Sequence, residues 1–182
     1  MKVISGKYKG RNILGFDIKG TRPTQDRVKE NLFNIINFDI KDKVVLDLFA
    51  GSGNLGIEAL SRDAKYCYFN DNNKKSIEII NKNINNMNIT NCKILNLNYK
   101  KALNYFKDNS IKLDIIFLDP PYETSYLKES IIIANELDIL NDNALIICES
   151  NNMNKIIYDD SFIEVQSKKY GDKYIVIIKK IW

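Results

Sequence analysis

The sequence predicts an α/β fold around a mainly parallel sheet, and three observations carry that expectation. From Lys43 onward, short apolar runs alternate with segments of helical periodicity, the pattern of βαβ units. The first run, Val44 to Phe49, is apolar but for Asp47, as in a strand buried on both faces. A glycine-rich turn follows it at once, where a parallel strand passes into a helix. The chain has 182 residues, 45% hydrophobic and 27% charged, which suits one ordinary globular domain and excludes a disordered chain.

Residues 2 to 14 read as a strand-turn-strand piece with turn points at Gly6 and Gly10. Thr24 is a candidate N-cap, and Val28, Leu32, Ile35 and Ile36 then share one helix face. After the first strand come a helix over Asn54 to Arg62 and a second strand over Tyr66 to Phe69. Ile77, Ile80, Ile84 and Met87 mark the next helix, and Cys92 to Leu97 a third strand. A short helix holds Ala102 to Phe106. The fourth strand, Leu113 to Leu118, is stopped by Pro120 and Pro121. A helix over Leu127 to Leu137 leads to a fifth strand at Ala144 to Cys148. Phe162 to Val165 and Tyr174 to Ile178 close an antiparallel hairpin around Gly171-Asp172, which makes seven strands. The expected division is a basic N-terminal β-hairpin arm, residues 1–23, ahead of a Rossmann-like domain, residues 24–182.

Composition narrows the chemistry. There is no histidine, which excludes a Ser-His-Asp triad, a Cys-His pair and an imidazole base. Carboxylates, backbone groups or a cofactor must do the work of any enzyme built here. Cys67, Cys92 and Cys148 are odd in number, lack a CxxC, and sit in apolar stretches, as buried free thiols of a reducing compartment do. No secretory leader or bilayer-length apolar run is present, so the expectation is cytoplasmic, monomeric and free of metal. The net charge of +4 is uneven. Lys2, Lys7, Lys9, Arg11, Lys19, Arg22, Arg27 and Lys29 face only Asp17 and Asp26, leaving +6 on residues 1–29 and −2 on the rest. Such an arm suits a polyanion or a solvated surface.

Two motifs carry chemistry. Gly51, Gly53 and Gly56 satisfy G-x-G-x-x-G directly after the first strand, and allow a tight turn, close ligand approach and close helix packing. Asp47, four residues earlier, disfavours a pyrophosphate there and suits the cationic S-adenosylmethionine better than a nicotinamide dinucleotide. Asp47 can equally hold the loop through backbone hydrogen bonds. The second motif is Asp119-Pro120-Pro121-Tyr122 at the end of the fourth strand. The prolines remove two donors and hold the chain extended. A carboxylate, free carbonyls and a flat ring then accept from an exocyclic amine and stack on its base.

Together these motifs resemble the amino-directed class of S-adenosylmethionine-dependent methyltransferases. Ile4 to Arg11, Thr21 to Asn34, Gly56 to Arg62 and Glu149-Ser150 narrow the resemblance to the RsmD family, over nearly the whole chain. The resemblance implies a class I methyltransferase fold and methylation of the exocyclic N2 of a guanine in bacterial small-subunit (16S) ribosomal RNA. It implies S-adenosylmethionine at Asp47, Phe49, Ala50, Gly51, Gly53, Gly56, Asn70, Asp71 and Asn98, with Thr24, Arg22 and Arg27 closing over it. Asp119, Pro120, Pro121 and Tyr122 would be catalytic, and Lys7, Tyr8, Lys9, Arg11, Arg22 and Arg27 would grip RNA. Asn70 and Asn98 stand where the family usually has acids, and period-2 alternation turns the nearby Asp71 to the opposite face. A DNA adenine or cytosine N-methyltransferase shares the second motif, and a non-catalytic RNA-binding or assembly module with a vestigial cofactor site suits the two asparagines.

Overall fold

The computed structural model describes residues 1–16, 22–121 and 124–182, with side chains from Asp26 onward in the first helix. Elements follow the order α1 (Arg22–Ile35), β1 (Val44–Asp47), α2 (Asn54–Ser61), β2 (Tyr66–Asn70), α3 (Lys74–Met87), β3 (Cys92–Leu95), α4 (Tyr99–Asp108), β4 (Leu113–Leu118), α5 (Tyr126–Glu136), β5 (Leu140–Ser150), β6 (Phe162–Tyr170) and β7 (Lys173–Lys180). The seven strands form one sheet in the order β3-β2-β1-β4-β5-β7-β6. β1 to β5 are parallel, and β7 and β6 add antiparallel pairs at the end.

Alternation along the strands feeds two core layers. Val45, Phe69, Phe117, Ile147 and Ile177 face Phe33 of α1 and Ile57 of α2. Leu46, Leu118, Cys148 and Val176 face Leu103 and Phe106 of α4 and Ile131 of α5. Both faces of the central strands are thus dry, which is why their sequences read as continuous apolar runs. Cys67 and Cys148 are buried, Cys92 is half-buried, and all three thiols are free. No described helix is long and apolar enough to cross a membrane.

Three local expectations are corrected. Helix α1 already begins at Arg22, so Thr24 lies inside the first turn and is not its N-cap; the fixed φ of Pro23 suits that turn. β5 begins at Leu140, with a register irregularity before Ile115 pairs with Leu145 and with Asn143 at φ 62°. The N-terminal hairpin is rudimentary, a single antiparallel bridge between Lys2 and Asn12. Other backbone donors of the segment reach α2. Ile4 and Ser5 N–H donate to the Glu58 carboxylate at 2.9 and 3.1 Å, Lys7 N–H to the Ser61 carbonyl at 2.7 Å, and Tyr8 N–H to Ser61 Oγ at 2.9 Å.

That docking is tight. At Gly6, φ is 82° and a Cβ would lie 1.7 Å from the Ser61 carbonyl oxygen. Beneath it, Lys29 of α1 is buried with its Nζ 3.2 Å from Glu58, 2.7 Å from the Lys2 carbonyl and 2.8 Å from Asn54 Oδ1. Arg62 closes on the other Glu58 oxygen at 3.0 Å. The buried Glu58 thus joins α1, α2 and the N-terminal segment.

Candidate active site

The carboxyl ends of β1 and β4 are neighbours, and both motifs emerge there. This is where ligands bind in open α/β sheets. Leaving β1, the chain turns through Gly51 and Gly53, at φ 56° and 80°, and enters α2. Open space lies over the Gly51 Cα, whereas a Cβ on Gly56 would sit 2.3 Å from Phe69 Cε1 and 2.7 Å from Cys67 Sγ. The first glycine leaves room above the loop, and the last lets α2 press on β2. The buried Asp47 carboxylate accepts the Gly56 N–H at 3.0 Å. Burial, with a smaller push from Asp71, raises its pKa to about 7 against that hydrogen bond.

Asn70 and Asp71, both expected at the cofactor, are held differently. Asn70 is buried and donates to the carbonyls of Leu48, at 3.0 Å, and Leu97, at 3.1 Å, while its oxygen accepts Leu97 N–H at 3.2 Å. It therefore clamps the ends of three strands. β2 ends at Asn70, so Asp71 escapes the strand alternation. Its carboxylate accepts Gly51 N–H at 2.9 Å and Asn73 N–H at 2.9 Å, which brings the acid to the glycine loop. Asn98 is exposed and caps α4, accepting Lys101 N–H at 3.0 Å.

Phe49 stands with two rings that sequence reasoning missed. Its ring lies parallel to Tyr126 at 6.2 Å and is 6.0 Å from Tyr99, and the two tyrosines are 4.6 Å apart. Tyr99 opens α4 and Tyr126 opens α5, so a tyrosine at each helix start was the available signal. Hydrogen bonds from Lys100, Ser125 and Tyr99 hold Glu129 beneath this cluster down to about 2.

Asp119 follows β4 directly. It is open to solvent at its surface but surrounded by protein at longer range. Desolvation and the Glu149 charge raise its pKa to about 7, opposed by Lys173, which pairs with Glu149. Pro120 is buried and, among the described residues, nothing donates to its carbonyl. The Pro121 carbonyl is not free as expected: Thr124 Oγ1 donates to it at 2.7 Å and Thr124 N–H at 3.3 Å. Tyr122, and the side chains of Arg22 and Thr24, lie outside the described residues.

Among the described residues, the basic side chains of residues 1–16 do not converge on this site. Helix α2 returns from the loop toward the amino ends of the strands, about 12 Å over eight residues. Lys7 and Tyr8 dock at its far end, on Ser61. Tyr8 is 8% exposed in the core, so its ring packs and is not presented to RNA. Lys7 and Lys9 are exposed there, and the Arg11 guanidinium bonds the Asn86 carbonyl at 2.5 Å. Arg27 is exposed on α1.

Strand order, the antiparallel β7 and the two motifs at adjacent strand ends define a Rossmann-like methyltransferase. A solved Escherichia coli structure, yhhF, provisionally described as a methyltransferase, superposes over 100% of this chain and 98% of its own with a TM-score of 0.87 and 30% identity. The family model described as conserved hypothetical protein 95 matches residues 1–179, and the chain belongs to that family, the RsmD family. Ribosomal RNA small subunit methyltransferase D of Buchnera aphidicola subsp. Baizongia pistaciae is 40% identical over 159 residues, 86% of this chain and 80% of that one. The protein of the same name from Escherichia coli K12 is 36% identical over 150 residues, 82% and 74% of the respective chains.

Proposed function

We propose that the protein methylates the exocyclic N2 of a guanine in small-subunit ribosomal RNA, in the bacterial cytoplasm, with S-adenosylmethionine as donor. The observation that carries this reading is the juxtaposition of Asp119-Pro120 at the end of β4 with the glycine loop at the end of β1. The small-subunit ribosomal RNA names of the relatives support the substrate.

The residues present fit the donor. The open space over Gly51 and its positive φ admit close approach, and the Asp47 and Asp71 carboxylates beside the loop favour a cation over a pyrophosphate. Phe49, Ala50, Gly53 and Gly56 shape the same cradle, and the Phe49, Tyr99 and Tyr126 rings offer an apolar wall. Asp71 stands at the glycine loop for the polar role expected of it, while Asn70 braces the strand ends. Thr24 and Arg22, in the first turn of α1, would close over the donor. S-adenosylmethionine supplies a methyl on a sulfonium, so the leaving group comes with it.

A guanine N2 lone pair is delocalised into its ring. The Asp119 carboxylate and the Pro120 carbonyl accept its two hydrogens, turn the lone pair toward the methyl and stabilise the charge that develops on nitrogen. Asp119, held above the usual carboxylate range, then accepts the proton that the methylated amine releases. Pro121 anchors the turn and Tyr122 stacks on the unpaired base. Arg22 and Arg27 contact phosphates near the site. Residues 1–23 extend the contact as a basic arm, with Lys7, Lys9 and Arg11 along the flank.

The test is transfer of tritiated methyl to small ribosomal subunits from a strain lacking the corresponding enzyme, followed by nucleoside analysis. Label in N2-methylguanosine is expected. Label in adenosine or cytidine, or none, overturns the reading.

A further inference from the structure

The Glu149-Ser150 pair, part of the family resemblance, has no role in the chemistry above. β4 and β5 are parallel neighbours in the register Phe117 to Ile147 and Leu118 to Cys148. Leu118 and Cys148 face the α4–α5 layer, and Phe117 and Ile147 face the α1–α2 layer. Asp119 and Glu149 come next after that register, and Glu149 is near enough for its charge to act on the Asp119 carboxylate. Two carboxylates thus stand at the carboxyl ends of neighbouring parallel strands, which in general run about 4.8 Å apart. β7 brings Lys173 to Glu149 as an ion-pair partner, and the two side chains are 29% and 16% exposed. This holds a second carboxylate at the mouth of the acceptor site, where a like-charged neighbour of Asp119 needs a reason.

We infer that Glu149 is a base-specificity residue: its carboxylate accepts the N1–H of the target guanine while Asp119 and the Pro120 carbonyl accept from N2. The inference rests on the guanine reading above. The Watson–Crick edge of guanine presents N1–H and N2–H as adjacent donors, whereas adenine pairs its amine with an unprotonated N1 acceptor and cytosine its amine with an N3 acceptor. Two neighbouring acceptors match guanine and confront the other two bases with an acceptor facing an acceptor. A carboxylate accepts at about four lone-pair positions, so a lysine and a base donor can share it. Lys173 holds the carboxylate in place.

The experiment compares guanine with 2-aminopurine, which keeps the amine but has an unprotonated N1. The guanine that the wild-type enzyme modifies is identified first. It is then replaced by 2-aminopurine in reconstituted small subunits by ligation of the synthetic RNA. Wild type is expected to prefer guanine by about tenfold or more in kcat/KM, the scale of one charge-assisted hydrogen bond. Glu149→Gln, whose amide can donate to an unprotonated N1, is expected to lose rate on guanine and to lose or invert the preference. Glu149→Asp keeps the acceptor, so it retains the preference at reduced rate. Calorimetry with S-adenosylmethionine and thermal melting check that both variants are folded. An equal loss on both bases, or an unchanged preference in Glu149→Gln, overturns the inference and leaves the function standing. Absence of wild-type transfer to guanine N2 overturns both.

Discussion

The Asp47 carboxylate accepts the Gly56 N–H at 3.0 Å, and that bond joins the last residue of β1 to the first turn of α2. The acid is buried, and its pKa is raised from 3.8 to about 7. Folded protein thus holds a proton that the unfolded chain has already released across that window. Stability contributed by protonated Asp47 is full below about pH 4 and is lost as pH rises to 7. Asp47→Asn keeps an acceptor for Gly56 and removes the titration. Denaturant melts should show its stability gaining on wild type between pH 5 and pH 8, by at most about 4 kcal/mol. Parallel curves for the two proteins across that range would refute this role.

Asn70 leads to a less intuitive expectation. An acid is usual in the family at this position, yet restoring one should harm this protein. The amide donates to two carbonyls from the buried end of β2. Asn70→Asp removes both donors and places a carboxylate against the Leu48 and Leu97 carbonyls. We expect a loss of about 2–4 kcal/mol in chemical denaturation and weaker cofactor binding, with no gain from the added acid. In contrast, Asp71→Asn should leave the fold nearly intact and weaken cofactor binding measured by calorimetry, because Asp71 is at the loop surface and its two backbone partners, Gly51 and Asn73, keep an amide oxygen to donate to.

Lys29, Glu58 and Arg62 form a buried network whose central acid also holds the Ile4 and Ser5 amides. Glu58→Leu leaves Lys29 and Arg62 without their counter-charge and should cost about 3–5 kcal/mol. Adding Lys29→Met should recover at least about 1 kcal/mol, since the lysine is then no longer a buried unpaired charge. Residues 1–16 should also become the first site of trypsin cleavage in Glu58→Leu, because their anchor is gone. Strictly additive losses in the double variant would show that the two residues do not act as a pair.

What the sequence made legible was local. The continuous apolar run at Val44 to Phe49, the glycine spacing and the Gly171-Asp172 turn each depend on near neighbours, and strand order then placed both motifs at one end of the sheet. The Glu58 network was not legible, since Lys29 and Glu58 stand 29 positions apart and each reads as an ordinary surface charge. The direction of the Asp71 side chain was misjudged because alternation was extended one residue past the end of β2. The charge of the N-terminal segment was visible but its placement was not. That placement follows from Ser61, which draws Lys7 and Tyr8 to the far end of α2 from the glycine loop. The Phe49, Tyr99 and Tyr126 cluster likewise exists only once β1, α4 and α5 are brought together.

Asp119 yields the sharpest kinetic expectation. Only its ionised form can accept from the amine on both lone-pair faces and take up a proton, and the surrounding protein and Glu149 raise its pKa to about 7. The rate therefore requires the ionised carboxylate, which is only partly populated at neutral pH. In wild type, kcat/KM should rise with pH through the neutral range and level off above it. Lys173→Met removes the opposing positive charge and should move that rise to higher pH. Asp119→Asn should lose about 10²–10⁴-fold in kcat and with it the rising limb, while calorimetry shows cofactor binding little changed. Asp119→Asn with full turnover, or with the rising limb intact, would mean that the proton and the orientation are supplied by some other group.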